Sequence, residues 1–418
     1  MEFVYSLYLF CVIIGIVTTL IAYHKFGFFF NHYFFYNFTW LLLIYLSLFY
    51  NSYRKPVSAE VYGIFLVGLM CFDSTIVCVK KKNIKLDIDL IKLDIRKRRI
   101  LEYFVILGIF PAAYLNYTLI QSGVELYRLN EYYWATRGEG TYLYQQFQQL
   151  FLSPMTFLLV STSFYNNYSH SNRLSSFLTF ILAFFISIEY LIMTGGGRHQ
   201  MMNLFFAISL SVIGRFHHQM RKCLFSPSKY FYIFIGIAII ILIQWANEGR
   251  GKSNSFVENA INGYIIFPPL FEYYLNQTDI FTNNTYGGSM FEFFVTTLQY
   301  PLKLLGVSFY EEYNNDIVQN FVYVYKLGEE TNAQVSTYFY FFRDFGYLGI
   351  FIGPMLTAGI FNWLYSLCRK NTFYLLFFLC AVLKGCLSSG FPFDKGFYFA
   401  FLYLILVTFF FKERNVQI

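Results

Sequence analysis

Thr194–Gln200 reads T-G-G-G-R-H-Q, and its residue types suit the grip of a phosphate group. Gly195, Gly196 and Gly197 let the backbone turn sharply and approach a ligand closely. Arg198 cannot shed its charge, and its planar fork pairs with two phosphate oxygens at once. His199 is either a general base near neutral pH or a hydrogen-bonding turn residue. The plainer alternative is a tight turn with one snorkelling arginine. A second stretch, Ser336–Gly349, reads S-T-Y-F-Y-F-F-R-D-F-G-Y-L-G and sets Arg343 beside Asp344. Asp344 either caps the helix that follows or orients a sugar hydroxyl and accepts its proton. Arg137, in Tyr127–Gly140, and Arg250, just after an apolar run, add fixed cations. Guanidinium forks converging at a membrane boundary match a lipid-linked pyrophosphate. For each arginine but Arg198, taken singly, snorkelling or pairing with a lipid headgroup is the plainer reading.

The composition says where such residues must work. Of 418 residues 57% are hydrophobic and only 13% charged. A soluble domain carries roughly a quarter charged residues, so the deficit points to lipid. The 54 Phe and 38 Tyr suit a chain with many membrane interfaces. The seven cysteines lie in or beside apolar runs without a C-x-x-C pair, which argues against a disulfide framework or a thiolate metal site. No His/Asp/Glu cluster has metal-ligand spacing, and no cofactor is expected.

Apolar runs near 3–22, 33–50, 58–79, 100–120, 147–165, 176–193, 201–214, 229–246, 347–367, 372–389 and 396–411 predict about eleven membrane spans. Each is expected to be helical, because lipid offers backbone groups no partners. The 33–50 run is either spanning or re-entrant. The first run lacks a basic leader and reads as a retained span. Lys80–Arg99 is the most basic connection and is cytoplasmic by the positive-inside rule. Four further basic segments, including Arg369–Lys370 and Lys412–Arg414, then fall on the same side. Only His199 of the six histidines faces outward in this topology. The polybasic segment flanks spans, so nucleic acid is not expected as a partner.

The expected fold is therefore all-α, a single polytopic membrane domain with a long outer loop at about 247–345. Within that loop, Tyr264–Tyr274 and Phe291–Val307 are expected as short amphipathic helices lying on the membrane surface and roofing a cavity. Asp73 and Glu189 are candidates for charged groups in mid-span.

The aromatic spans, the outward G-G-G-R and the long outer loop ending in T-Y-F-Y-F-F-R-D-F-G-Y-L-G resemble the Wzy-type polymerases, the bacterial O-antigen and oligosaccharide repeat-unit polymerases. In architecture the resemblance covers the chain; in motif it covers Thr194–Gln200 and Thr337–Gly349. It implies a glycosyltransferase of the inner membrane, with an active site on the periplasmic side. Its substrates would be oligosaccharide repeat units on undecaprenyl pyrophosphate, with membrane lipids and a chain-length regulator as further partners. The matching positions are Gly197 and Arg198 in the first motif, and Asp344, Phe345 and Gly346 in the second. Arg137 and Arg250 match by location alone, and His199 is not carried over. Arg198, Asp344 and His199 are the catalytic candidates. Gly197, Arg137, Arg250, Arg343 and Tyr338 are the substrate-binding candidates. Two rivals use the same lipid-linked units: an O-antigen ligase, which differs in acceptor, and a flippase, which would show internal repeats and mid-bilayer charges.

Overall fold

The first apolar run folds as helix α1 (Glu2–Phe26), which ends where Gly27 takes a φ of 72° that a side chain would resist. Asn31 then starts α2 (His32–Phe49): its Oδ1 accepts from the backbone N–H groups of Tyr33 and Phe34, both at 3.1 Å. Helix α3 (Ala59–Ser74) runs on into a 3-10 turn, Thr75–Cys78. The structure is a computed structural model that describes residues 2–49, 57–80, 95–124, 265–276, 284–291, 321–324, 329–332, 336–369 and 372–388, together with a few single positions.

The remaining described elements are α4 (Ile95–Gln121), α5 (Phe267–Leu275), strands β1 (Phe321–Val324) and β2 (Glu329–Asn332), α6 (Thr337–Phe345), α7 (Tyr347–Cys368) and α8 (Thr372–Ser388). Among the described residues, four helices are long and apolar enough to cross a membrane: Glu2–Phe26, His32–Phe49, Ala59–Cys78 and Tyr347–Cys368. The protein is thus mostly helical and of membrane type. The runs at 176–193, 201–214 and 229–246 lie outside the described residues, as do nearly all of 147–165 and 396–411. Helix α4 begins at Ile95, inside the segment expected as a basic connection.

The chain divides into two units. The first comprises residues 1–85, 257–369 and 385–394; the second comprises 86–256, 370–384 and 395–418. In the second, α4 buries Leu101 and Val105, and Gly108 lies so close to Leu152 that a methyl group there would overlap it.

In the first unit, cross-links fix the helix directions. Cys11 of α1 lies against the Leu66 carbonyl of α3, and Lys25 donates to the Ile76 carbonyl at 2.7 Å. Helices α1 and α3 therefore run the same way. Tyr347 hydrogen-bonds Glu60, while Asn362 reaches Tyr33, whose hydroxyl meets Thr75 at 2.8 Å, so α7 runs that way too. Helix α2 runs opposite, pairing Asn37 with Asp73 and Ser47 with Tyr62. Lys25 and Lys80 therefore gather at one end of the bundle with Arg369, just past α7. Asp73 sits near that end, one residue before α3 gives way to the 3-10 turn, and Asn37 donates to it at 2.8 Å. It lies inside the candidate span Ala59–Cys78, five residues from its end. The α1 face bearing Leu9, Ile13, Ile16 and Leu20 and the α7 face bearing Leu348, Phe351, Ile352 and Met355 are exposed, as lipid contact requires.

One expectation changes. Helix α5 occupies the place expected for a surface helix, yet it is buried along both sides, including Phe267, Leu270, Phe271 and Tyr274. Its aromatics reach α3 and α6: Phe271 packs on Phe65 and Phe342, and Tyr274 on Phe339. With few polar residues on any side, this helix gains more by burial than at a wet interface. One short hairpin accompanies the helices: β1 and β2 pair antiparallel, with Phe321 opposite Asn332 and Val324 opposite Glu329. The Phe-Val-Tyr-Val run of β1 has the β-branched and aromatic composition that favours a strand. Residues 292–307 lie outside the described residues.

Candidate functional site

The motif Ser336–Gly349 folds as two helices, because Gly346 breaks it. This glycine adopts φ 57° and ψ −140°, a conformation that side chains rarely take, and its N–H closes α6 on the Phe342 carbonyl at 2.7 Å. Helix α6 is nine residues long, and Thr337, Tyr338, Phe339, Phe341, Phe342, Arg343 and Asp344 are all buried.

Small residues let it in so deeply. Tyr338 lies directly on Gly68 of α3, and Phe341 lies on Gly349 and Gly353 of α7. A methyl group at any of the three would overlap its neighbour. Gly68 is in the middle of α3, whereas Tyr347 bonds Glu60 in its first turn. Helix α6 therefore climbs along α3 from its middle to its N-terminal end. The Tyr338 ring meets Trp40 edge-on, with centroids 4.5 Å apart, and Phe65 at 5.1 Å. Burial, then the neighbouring Tyr36, pushes its phenol well above the ordinary value. Tyr338 is therefore a neutral O–H group at physiological pH.

Asp344 closes the helix and makes the most specific contacts of the motif. It does not cap α7, whose N-cap is Gly346. Its Oδ1 accepts from the Thr285 hydroxyl at 2.5 Å and the Ser289 N–H at 2.9 Å, and its Oδ2 from the Met290 N–H at 2.9 Å. The backbone adds to this: Thr285 N–H donates to the Arg343 carbonyl at 3.3 Å and Tyr286 N–H to the Asp344 carbonyl at 3.2 Å. A buried carboxylate needs such donors, and here they come from a turn 54 to 59 positions earlier in the chain. Asp344 thus fastens the turn at residues 285–290 to the end of α6.

That turn holds Tyr286 at its tip, with φ 48° and a side chain 79% exposed. A left-handed aromatic residue costs of order 1–3 kcal/mol, which the fastened turn must offset. On the other side of α6, Glu272 of α5 accepts from the Ser58 N–H at 3.0 Å and ties α5 to the start of α3. The motif, the turn and α5 meet at the end of the unit opposite the Lys25–Lys80 end.

Of the sequence-derived site residues, Tyr338, Arg343 and Asp344 share α6, with Arg343 and Asp344 both buried at its C-terminal end. Arg137, Gly197, Arg198, His199 and Arg250 lie outside the described residues. Sequence reasoning passed over Thr285, Tyr286, Ser289 and Met290. The run N-N-T-Y-G-G-S is a turn signal, but nothing in it marks Asp344 as its partner. Among the described residues, no group of three His, Cys, Asp or Glu side chains could hold a metal ion. Comparison with known proteins finds no matching family model, no similar curated protein and no similar solved structure.

Proposed function

We propose that this protein is a polymerase of undecaprenyl-pyrophosphate-linked oligosaccharide repeat units, acting at the periplasmic face of a bacterial inner membrane. The single observation that carries the reading is the pair of sequence stretches Thr194–Gln200 and Thr337–Gly349 in a chain of membrane type. The first offers the Arg198 fork for a pyrophosphate. The second is a buried aromatic helix that carries Arg343 and Asp344 to one end of a bundle. Clustering of Lys25, Lys80 and Arg369 at the opposite end supports a cytoplasmic placement for that end.

In this reading a hydroxyl at the non-reducing end of one lipid-linked unit attacks the anomeric carbon of a second chain. The new glycosidic C–O bond forms as the bond from that carbon to the pyrophosphate oxygen breaks. Undecaprenyl pyrophosphate leaves with the bonding electron pair, and the hydroxyl proton passes to a base. Fixed guanidinium groups aimed at the leaving oxygen lower the barrier, and Arg198, Arg137 and Arg250 are the candidates. Asp344 Oδ2 accepts one hydrogen bond from the turn and has a second lone pair, so Asp344 and His199 both stand as candidate proton acceptors. Anchoring both substrates in one membrane supplies much of the proximity.

Deleting the gene tests the reading. The deletion strain is expected to display lipopolysaccharide bearing one repeat unit, since export and ligation remain. Loss of even that single unit would point instead to the ligase or flippase, and unchanged long chains would remove the protein from this process.

A further inference from the structure

We infer that Tyr286 is an aromatic platform on which a saccharide ring of the substrate stacks, a role that rests on the polymerase reading above. The tyrosine occupies a left-handed backbone conformation, φ 48°, that glycine or asparagine would take at less cost. Its side chain is 79% exposed, so burial does not compensate for that choice. Strain retained at an exposed aromatic marks a position where the ring serves something outside the fold.

The turn fixes the backbone that carries the ring. Tyr286 N–H is held by the Asp344 carbonyl, Gly288 N–H by the Thr285 carbonyl at 2.8 Å, and the Thr285 and Ser289 hydroxyls meet at 2.8 Å. A rigid tyrosine offers a broad apolar face and loses little conformational entropy when a ligand covers it. There is room for one. An added Cβ at Gly346 would meet nothing within 4 Å, and at Gly287 only the Phe291 ring, at 3.5 Å. Phe345 makes a T-shaped contact with Tyr286 at 6.5 Å and 72°, and with 79% of the side chain exposed a ring face stays open to a ligand. The axial C–H groups of a pyranose present a matching flat, apolar face, with hydroxyls around its rim. A lipid-anchoring tyrosine needs neither a fixed φ nor a fastened turn, since any exposed interfacial ring serves. The rigid presentation therefore favours the sugar.

The test returns Tyr286→Ala, Tyr286→Gly and Tyr286→Phe to the deletion strain. Its readouts are the surface-polysaccharide ladder, the protein level in membranes and the thermal midpoint of detergent-purified protein. Tyr286→Ala and Tyr286→Gly are expected to lose the long rungs at wild-type protein level. The Tyr286→Gly midpoint should be no lower than wild type, because glycine takes this φ without strain. Tyr286→Phe keeps the ring and should recover most long rungs. A wild-type ladder from the alanine variant would overturn the platform. So would equal loss in Tyr286→Phe, which would assign the role to the hydroxyl. Loss accompanied by reduced membrane level or a lowered Tyr286→Gly midpoint would assign Tyr286 to folding or lipid anchoring and also overturn it. The polymerase reading fails separately, through long chains in the deletion strain itself.

Discussion

The backbone N–H of Met290 donates to Oδ2 of Asp344 at 2.9 Å, across 54 positions of sequence. This bond and its two neighbours on Oδ1 join the turn at residues 285–290 to the aromatic helix. Asp344→Ala should lower the thermal midpoint of the purified protein, because each buried donor left unmatched costs about 1–3 kcal/mol. Asp344→Asn should fall between, since its amide puts a donor where one is already aimed. Thr285→Val removes two hydrogen bonds, to Asp344 and to Ser289, and should cost about 1–3 kcal/mol. Hydrogen exchange at the Ser289 and Met290 amides is the direct measure; unchanged exchange in Asp344→Ala would refute the fastening role.

Three glycines allow the close seating of α6, and they should differ in how they can be rescued. Gly349→Ala sets its methyl group against the backbone carbonyl of Phe341, which cannot retreat. Gly353→Ala and Gly68→Ala meet side chains instead, the rings of Phe341 and Tyr338. Truncating the ring, as in Gly353→Ala with Phe341→Leu or Gly68→Ala with Tyr338→Leu, should restore part of the lost stability. No such partner should rescue Gly349→Ala. Thermal midpoints of the single and double variants decide the matter, and rescue of Gly349→Ala by Phe341→Leu would contradict it.

Arg198 carries the residue-level claim of the proposed mechanism. Arg198→Ala should abolish long chains at normal protein level, consistent with a loss of roughly 10²–10³ in rate for one removed charge-stabilising donor. Arg198→Lys keeps the charge without the planar fork and should be partly active. If Arg250 shares the same phosphate, the double alanine variant should be little worse than either single one. Gel ladders beside a membrane blot provide the measurement; a wild-type ladder from Arg198→Ala would take this residue out of the site.

Hydropathy along the chain is enough to place the long apolar helices. The runs expected at 3–22, 33–50, 58–79, 347–367 and 372–389 are helices Glu2–Phe26, His32–Phe49, Ala59–Cys78, Tyr347–Cys368 and Thr372–Ser388. Lipid leaves a backbone one local solution, so an apolar run long enough to span is read almost without regard to context. The break in the second motif was equally local, since Gly346 can hold a φ and ψ that its neighbours resist. Tertiary structure chose the partners of the motif. Asp344 could cap α7 or serve a sugar as far as its neighbours in sequence can say. Its partners Thr285, Ser289 and Met290 come from a turn with no periodicity to announce it. Likewise Gly68 reads as one small residue in an apolar run until Tyr338 is laid on it. Helix α5 read as amphipathic, and only the rings of α3 and α6 around it show that both its sides are covered. Hydropathy reports the solvent a segment needs, whereas partners hundreds of residues apart are chosen by packing, where shape and unmatched hydrogen-bond donors set the cost.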